Sequence, residues 1–368
     1  MSCDLQLLAN EAIRSLHPYL PGKPISELER ELGITNIIKL ASNENPLGCS
    51  PIAKESIMNE LAEISRYPDA NGYYLKEAIA NIHAIQIDQL TLGNGSNDVL
   101  NLIARTFAGP GSEVIFSQHA FVVYPIAAKV VGADAVVVPA KNFGHDLEAM
   151  ANAITEKTRL IFIANPNNPT GTCLYKDELK KFMQSVPENV IVVMDEAYYE
   201  YVEDDNYPQT LTWLELFPNM IITRTFSKAY GLAGARIGYS VSHRDIAGLL
   251  NRIREPFNVN SFAMAAATTA IKDNQFLEQA VNLNKEGMNF LIKQLQELEL
   301  TYIPSKGNFI TVNMGSDAAP YYQKLLHQGV IVRPVANYQM PNHLRVSIGL
   351  MEENTRFIDA LKMVLSDS

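Results

Sequence analysis

Five short apolar runs constrain the fold of this chain more than any other feature: EVIFS (Glu113–Ser117), AVVVP (Ala135–Pro139), RLIFIANP (Arg159–Pro166), VIVVMDEA (Val190–Ala197) and MIITRTFS (Met220–Ser227). They are β-branched and nearly continuous, which suits strands covered on both faces, as in a parallel sheet. Between two of them, YKDELKKFMQSV places Leu179, Phe182, Met183 and Val186 at i, i+3, i+4 and i+7, the apolar stripe of a helix. Strand–helix alternation from about Ile38 to Arg254 implies right-handed crossovers, and so an α/β fold built on a mostly parallel, doubly wound sheet.

Past that point the pattern changes. FLEQAVNLNKEGMNFLIKQLQELEL reads as one long amphipathic helix or a broken pair, and short strands are expected at NFITVNM, GVIVRPV and HLRVSIG before a closing helix from about Glu352. The expectation is a large domain over 41–255 and a smaller α+β domain made of 1–40 and 256–368. A chain of 368 residues, 47% hydrophobic and 19% charged, can bury two such cores.

A net charge of -10 argues against a nucleic-acid partner, so any anionic ligand must be held by local donors. Cys3, Cys49 and Cys173 are scattered singly, without zinc-ligand spacing, which predicts no metal and a reducing compartment. The opening MSCDLQLLANEAIRSL carries an early Asp4 and no basic stretch before an apolar one, and no apolar run approaches the ~20 residues of a membrane span. A soluble cytoplasmic protein with no membrane partner is expected.

Open parallel sheets bind ligands beyond the carboxyl ends of their strands, and four polar clusters fall at such ends or at a helix start. In TLGNGSNDVLNLIARTFA, Gly93 and Gly95 permit close backbone approach, and Ser96 and Asn97 open a helix whose first amides can seat a phosphate; a plain capped helix accounts for the stretch equally well. NPNNPTG forms a rigid turn able to present Asn168, though turn chemistry alone also explains it. DEAYYEY puts Asp195 at the end of an apolar strand, where a carboxylate is costly unless it meets a cation or strong donor. TRTFSKAYGLAGARIGY sets Lys228 among small and apolar residues, which lowers an amine's pKa and frees it as a nucleophile. Together the clusters suit a phosphorylated, protonatable aromatic aldehyde. The glycine loop and Arg236 would take the phosphate, Asp195 a ring nitrogen, Asn168 and Tyr198 a ring oxygen, and Lys228 the aldehyde carbon.

The ordered set G-x-G-S, N-P-T-G, D-E-A-Y, S-K and R, spread over about 140 residues, resembles the fold-type I pyridoxal-phosphate aminotransferases of classes I and II. The resemblance implies pyridoxal 5'-phosphate as cofactor, with Gly95, Ser96, Asn97, Thr225, Ser227 and Arg236 around its phosphate. It implies Phe121, in HAFVVYP, as the aromatic stacked on the ring, a place where tyrosine is commoner. Tyr67, in RYPDANGYY, matches a tyrosine that reaches the cofactor phosphate of a neighbouring subunit, so a homodimer with shared sites is implied. HPYLPGKP, LASNENPLG and GVIVRPVANYQMPNHLRVSIG look like the histidinol-phosphate aminotransferases, which exchange amino groups between histidinol phosphate and glutamate. In that family the residues matching Tyr19, Arg333 and Arg345 hold the substrate phosphate, and the arginine matching Arg345 also takes the glutamate carboxylate. Arg333 as an interdomain salt bridge stays open, as do an aromatic-amino-acid aminotransferase, a threonine-phosphate decarboxylase and a cofactor-binding sensor. A dinucleotide-binding Rossmann domain is disfavoured, because no G-x-G-x-x-G opens a helix.

Overall fold

The computed structural model describes residues 4–16, 18 and 22–366. Its centre is a seven-stranded sheet of β1 (Leu90–Gly93), β2 (Glu113–Ser117), β3 (Asp134–Val138), β4 (Thr158–Ala164), β5 (Ile191–Asp195), β6 (Met220–Thr225) and β7 (Gly238–Ser242). The spatial order is β1-β7-β6-β5-β4-β2-β3. Neighbours from β6 through β5, β4 and β2 to β3 run parallel, whereas β7 is antiparallel to both β1 and β6. All five runs read as strands are strands. The two that carried no such signal, β1 and β7, are short and rich in Gly, Ser and Thr, with no continuous β-branched stretch.

The sheet is covered on both faces, as continuous hydrophobicity requires. Ile161, Ile163, Val192 and Ile222 enter one core, and Leu160, Phe162, Val193 and Ile221 enter the other. The exception is β3, whose Val137 is exposed. It is one of the two edges of the sheet, the other being the buried β1, and β-branched composition alone does not separate edge from centre. The expected amphipathic helix spans Lys176–Ser185, and Leu179, Phe182, Met183 and Val186 are all buried against the sheet.

A second core lies around a four-stranded antiparallel sheet of β8 (Tyr302–Ile303), β9 (Phe309–Asn313), β10 (Arg333–Pro334) and β11 (His343–Ser347), in the order β10-β11-β9-β8. Leu291, Leu295, Ile310, Leu344, Val346 and Phe357 fill it. FLEQAVNLNKEGMNFLIKQLQELEL lies mostly within a single 24-residue helix, Asn274–Glu297, and the closing helix is Met351–Ser366. GVIVRPV does not make one strand. Val330–Ile331 pairs parallel with Ile38–Lys39, and Arg333–Pro334 pairs with β11, so the run serves two small sheets in succession. Among the described residues, no helix is long and apolar enough to cross a membrane.

Candidate active site

A cavity of about 260 Å³ opens beyond the carboxyl ends of β4, β5 and β6, against the N-terminus of the helix Ser96–Phe107 and beside β10 and β11. Its walls bring together Ser96, Asn97, Phe121, Asn168, Asp195, Tyr198, Thr225, Ser227, Lys228, Arg236, Arg333 and Arg345.

At one end, Gly95 caps the helix Ser96–Phe107, and among the described residues no side chain caps it, which leaves the Ser96 and Asn97 amides as an anion seat. Gly95 has φ 84°, and a Cβ there would fall 2.5 Å from Arg236 Nη2. A Cβ on Gly238 would fall 2.4 Å from the Ser96 amide nitrogen, so the two glycines keep this corner clear. Arg236 Nη1 donates to the Ala233 carbonyl at 3.0 Å and to Ser227 Oγ at 3.4 Å. The Arg236 backbone itself sits at φ 60°, a strained conformation for an arginine and of the kind that collects at binding sites. The Ser227 amide donates to Thr225 Oγ1, fixing the loop that follows β6.

Asp195, 4% exposed, ends β5. Its Oδ2 accepts the Tyr124 hydroxyl at 2.8 Å and its Oδ1 the Thr223 hydroxyl at 3.0 Å. Burial pushes this carboxyl up to about 6, against the pull of those two hydrogen bonds. Partners that are only hydroxyls leave the carboxylate in want of a cation. Lys228, just past β6, donates from Nζ to the Ser42 carbonyl at 3.0 Å. Burial first, then the Arg345 charge, brings its amine down to about 7, so much of it is unprotonated at neutral pH. The buried Tyr198 accepts from Asn43 Nδ2 at 2.9 Å, and Phe121 meets Tyr124 edge-on, with centroids 5.9 Å apart.

At the far end, β10 and β11 pair so that Arg333 and Arg345 are direct cross-strand partners, both nearly buried. Like charges facing each other this way repel, and an anion between them removes the cost. Arg345 is already oriented: Nη1 donates to Asn168 Oδ1 at 2.6 Å and Nη2 to the Ala41 carbonyl at 2.7 Å. With its oxygen engaged, Asn168 turns its amide nitrogen to other acceptors.

One expected residue lies elsewhere, and another is not among the described residues. Tyr67 is 83% exposed, stacked on Phe257 at 4.7 Å and outside the cavity of its own chain. Tyr19 lies outside the described residues. Several groups at the cavity or behind it had no role in the sequence reading: Asn43, the Ser42 carbonyl and Tyr338 in its wall, and Tyr124 and Thr223, which hold Asp195 from within the core. Tyr124 was within reach, since it follows Phe121 at i+3 in HAFVVYP and so shares its side of the chain. Asn43 and Ser42 come from LASNENPLG and carried no local signal, because only folding brings them to β5 and β6.

Residues 35–361 match the family model described as aminotransferase class I and II, which defines the class of protein this fold and cavity represent. Histidinol-phosphate aminotransferase 1 of Idiomarina loihiensis is 56% identical over 355 residues, 96% of this chain and 97% of the relative. Histidinol-phosphate aminotransferase 2 of Pseudomonas fluorescens is 56% identical over 368 residues and the full length of both. The chain belongs to the class I and II aminotransferases and, within them, to the histidinol-phosphate aminotransferase family. Among solved structures it is similar to the histidinol-phosphate aminotransferase from Sinorhizobium meliloti in complex with pyridoxal-5'-phosphate, with a TM-score of 0.91 at 28% identity over 98% of each chain. Aspartate aminotransferase from Thermus thermophilus shares the fold, with a TM-score of 0.84 at 21% identity, 97% of this chain and 99% of that one being covered.

Proposed function

We propose that the protein is a pyridoxal-phosphate-dependent aminotransferase that moves an amino group from L-histidinol phosphate to 2-oxoglutarate, giving imidazole-acetol phosphate and L-glutamate in histidine biosynthesis. One observation carries the reading: a single cavity holds Asp195 and Lys228, each driven by burial toward its neutral form. The cofactor fits these donors. Its phosphate suits the open helix N-terminus with Thr225, Ser227 and Arg236, its ring nitrogen supplies the cation Asp195 lacks, and its ring oxygen suits the Asn168 amide and the Tyr198 hydroxyl.

When bound, the cofactor supplies an electron-withdrawing ring that takes up charge as the donor's α-proton leaves. Asp195 would hold the proton on the ring nitrogen. Lys228 Nζ, brought by burial to about 7, would carry the cofactor through its aldehyde and, as base and then acid, would move the donor's α-proton. Phe121 would pack against the ring. Arg333 and Arg345 hold the phosphate of histidinol phosphate, and Arg345 alone also takes the glutamate carboxylate.

That division of labour has a measurable consequence. In separate single-turnover half-reactions, Arg333→Ala weakens histidinol phosphate binding and leaves glutamate nearly untouched, whereas Arg345→Ala weakens both. Equal damage to both half-reactions by Arg333→Ala would assign Arg333 to an interdomain salt bridge.

The active unit is a cytoplasmic homodimer with shared sites. Tyr67 and its near neighbours in the chain Met58, Leu61, Ile64 and Tyr74 are all exposed apolar side chains, the kind of surface a partner subunit would cover. Sedimentation will find a dimer, and Tyr67→Phe will weaken cofactor binding by a phosphate contact. A monomeric, fully active protein contradicts this arrangement.

Aromatic groups at the cavity wall, Phe121, Tyr198 and Tyr338, suit a ring-bearing donor and make the aromatic-amino-acid aminotransferase the second reading. Steady-state turnover of histidinol phosphate, phenylalanine and tyrosine with 2-oxoglutarate decides between them. Histidinol phosphate is expected to give the highest kcat/KM; a better value for phenylalanine, or carbon dioxide release in place of glutamate formation, overturns the proposal.

A further inference from the structure

The ends of β5 and β6 carry a second charged pair on the side of the sheet turned away from the cavity. Glu196 follows Asp195, and Arg224 lies between Thr223 and Thr225, so the pleat sends both away from the site. Arg224 is 2% exposed and Glu196 1%. Arg224 Nε and Nη2 both donate to Glu196 Oε2, at 3.0 and 2.8 Å. Glu196 Oε1 accepts the Thr210 hydroxyl, and the guanidinium lies 3.6 Å over the Tyr199 ring. The proposed chemistry does not use this pair. As a source of stability it is a poor choice, because well-packed apolar side chains of the same volume commonly do as well or better.

What such a clasp supplies is register. Asp195 and Thr223 are cross-strand partners, and the Glu196 amide donates to the Thr223 carbonyl at 2.9 Å, carrying the ladder one residue beyond β5. The clasp therefore ties the two strands together at the level where one side chain meets the proposed ring nitrogen and another, Thr225, the proposed phosphate. We infer that Glu196 and Arg224 are positioning residues, whose bond across β5 and β6 aims Asp195 and Thr225 into the cavity from the opposite face of the sheet. The inference rests on the function proposed above, since Asp195 and Thr225 matter here as cofactor contacts.

The test compares cofactor-free proteins titrated with pyridoxal phosphate, their melting temperatures, and kcat and KM after loading. The double variant Glu196→Gln with Arg224→Met removes both charges of the pair at once, and the Glu200 carboxyl, which burial already holds up at about 7 against the pull of Arg224, takes a proton when that cation is gone, so melting stays within a few degrees of the unaltered protein. Cofactor affinity is expected to fall roughly tenfold or more and kcat with it, as for a misaimed site, while KM for the amino donor holds. Arg224→Lys keeps the charge and loses the two-pronged geometry, and its affinity falls between the two. Normal affinity and kcat in either folded variant overturn the inference. If neither folds, Glu196→Asp, which keeps the charge but shortens its reach to Arg224, makes the same comparison with the same two outcomes. Failure of the unaltered protein to bind the cofactor would count against the proposed function instead.

Discussion

Lys228→Ala cuts transamination by roughly two to four orders of magnitude for removing the group that moves the proton, yet the protein still takes up pyridoxal phosphate. The cofactor contacts proposed for Ser96, Asn97, Asp195, Thr225 and Arg236, which line the same cavity, do not depend on the lysine. The fold should tolerate the change, because it removes an amine whose protonated form burial already disfavours. Borohydride reduction distinguishes the covalent from the non-covalent complex: peptide mapping should find the label on Lys228 in the unaltered protein and nowhere in the variant. A label on another lysine would remove the basis of the whole site assignment. Near-normal turnover by Lys228→Ala would do so as well.

Asp195→Asn is the second large effect. An amide cannot hold the proton on the ring nitrogen, and breaking a buried, hydrogen-bonded charge pair costs about 3–5 kcal/mol, roughly a thousandfold in rate if felt in the transition state. Cofactor uptake should persist while kcat collapses. Cofactor-free protein offers an independent readout with the opposite sign. The Asp195 carboxyl is held up at about 6, so its contribution to folding is full below the ordinary carboxylate range and is lost as pH rises through 6. Without cofactor, then, Asp195→Asn should be the more stable protein above pH 6, by an amount of order roughly 3 kcal/mol for two pKa units, and the difference should fade near pH 4. Thermal melts at the two pH values measure it. An Asp195→Asn protein that turns over normally, or is less stable than the parent at pH 7.5 without cofactor, would make Asp195 a structural residue.

Much of the sheet was legible in the chain because a strand buried on both faces needs an unbroken apolar run, and such runs are visible without knowing their neighbours. The Lys176–Ser185 helix was legible for a similar reason, since its stripe of Leu179, Phe182, Met183 and Val186 is a local property. What carried no local mark was missed. β1 and β7 borrow their stability from the strands beside them, and the exposure of β3 depends on what packs over it, since β1 at the opposite edge is buried. The division of GVIVRPV between two sheets depends on Ile38–Lys39, almost 300 residues away in the chain.

The candidate site divides along the same line. Residue types and their order in the chain pointed to the glycine turn before Ser96, the carboxylate at the end of β5 and the lysine after β6, because each is set by the strand or helix it adjoins; the two arginines near the C-terminus came only from the family resemblance. Only the tertiary structure decided that Arg333 and Arg345 face each other across one strand pair, that Tyr124 and Thr223 are the partners of Asp195, and that Ser42 and Asn43 reach Lys228 and Tyr198. It also decided how far the Asp195 and Lys228 protons are displaced from their usual pKa values. Burial sets those shifts, and burial is a property of everything packed around a group, not of its neighbours in sequence.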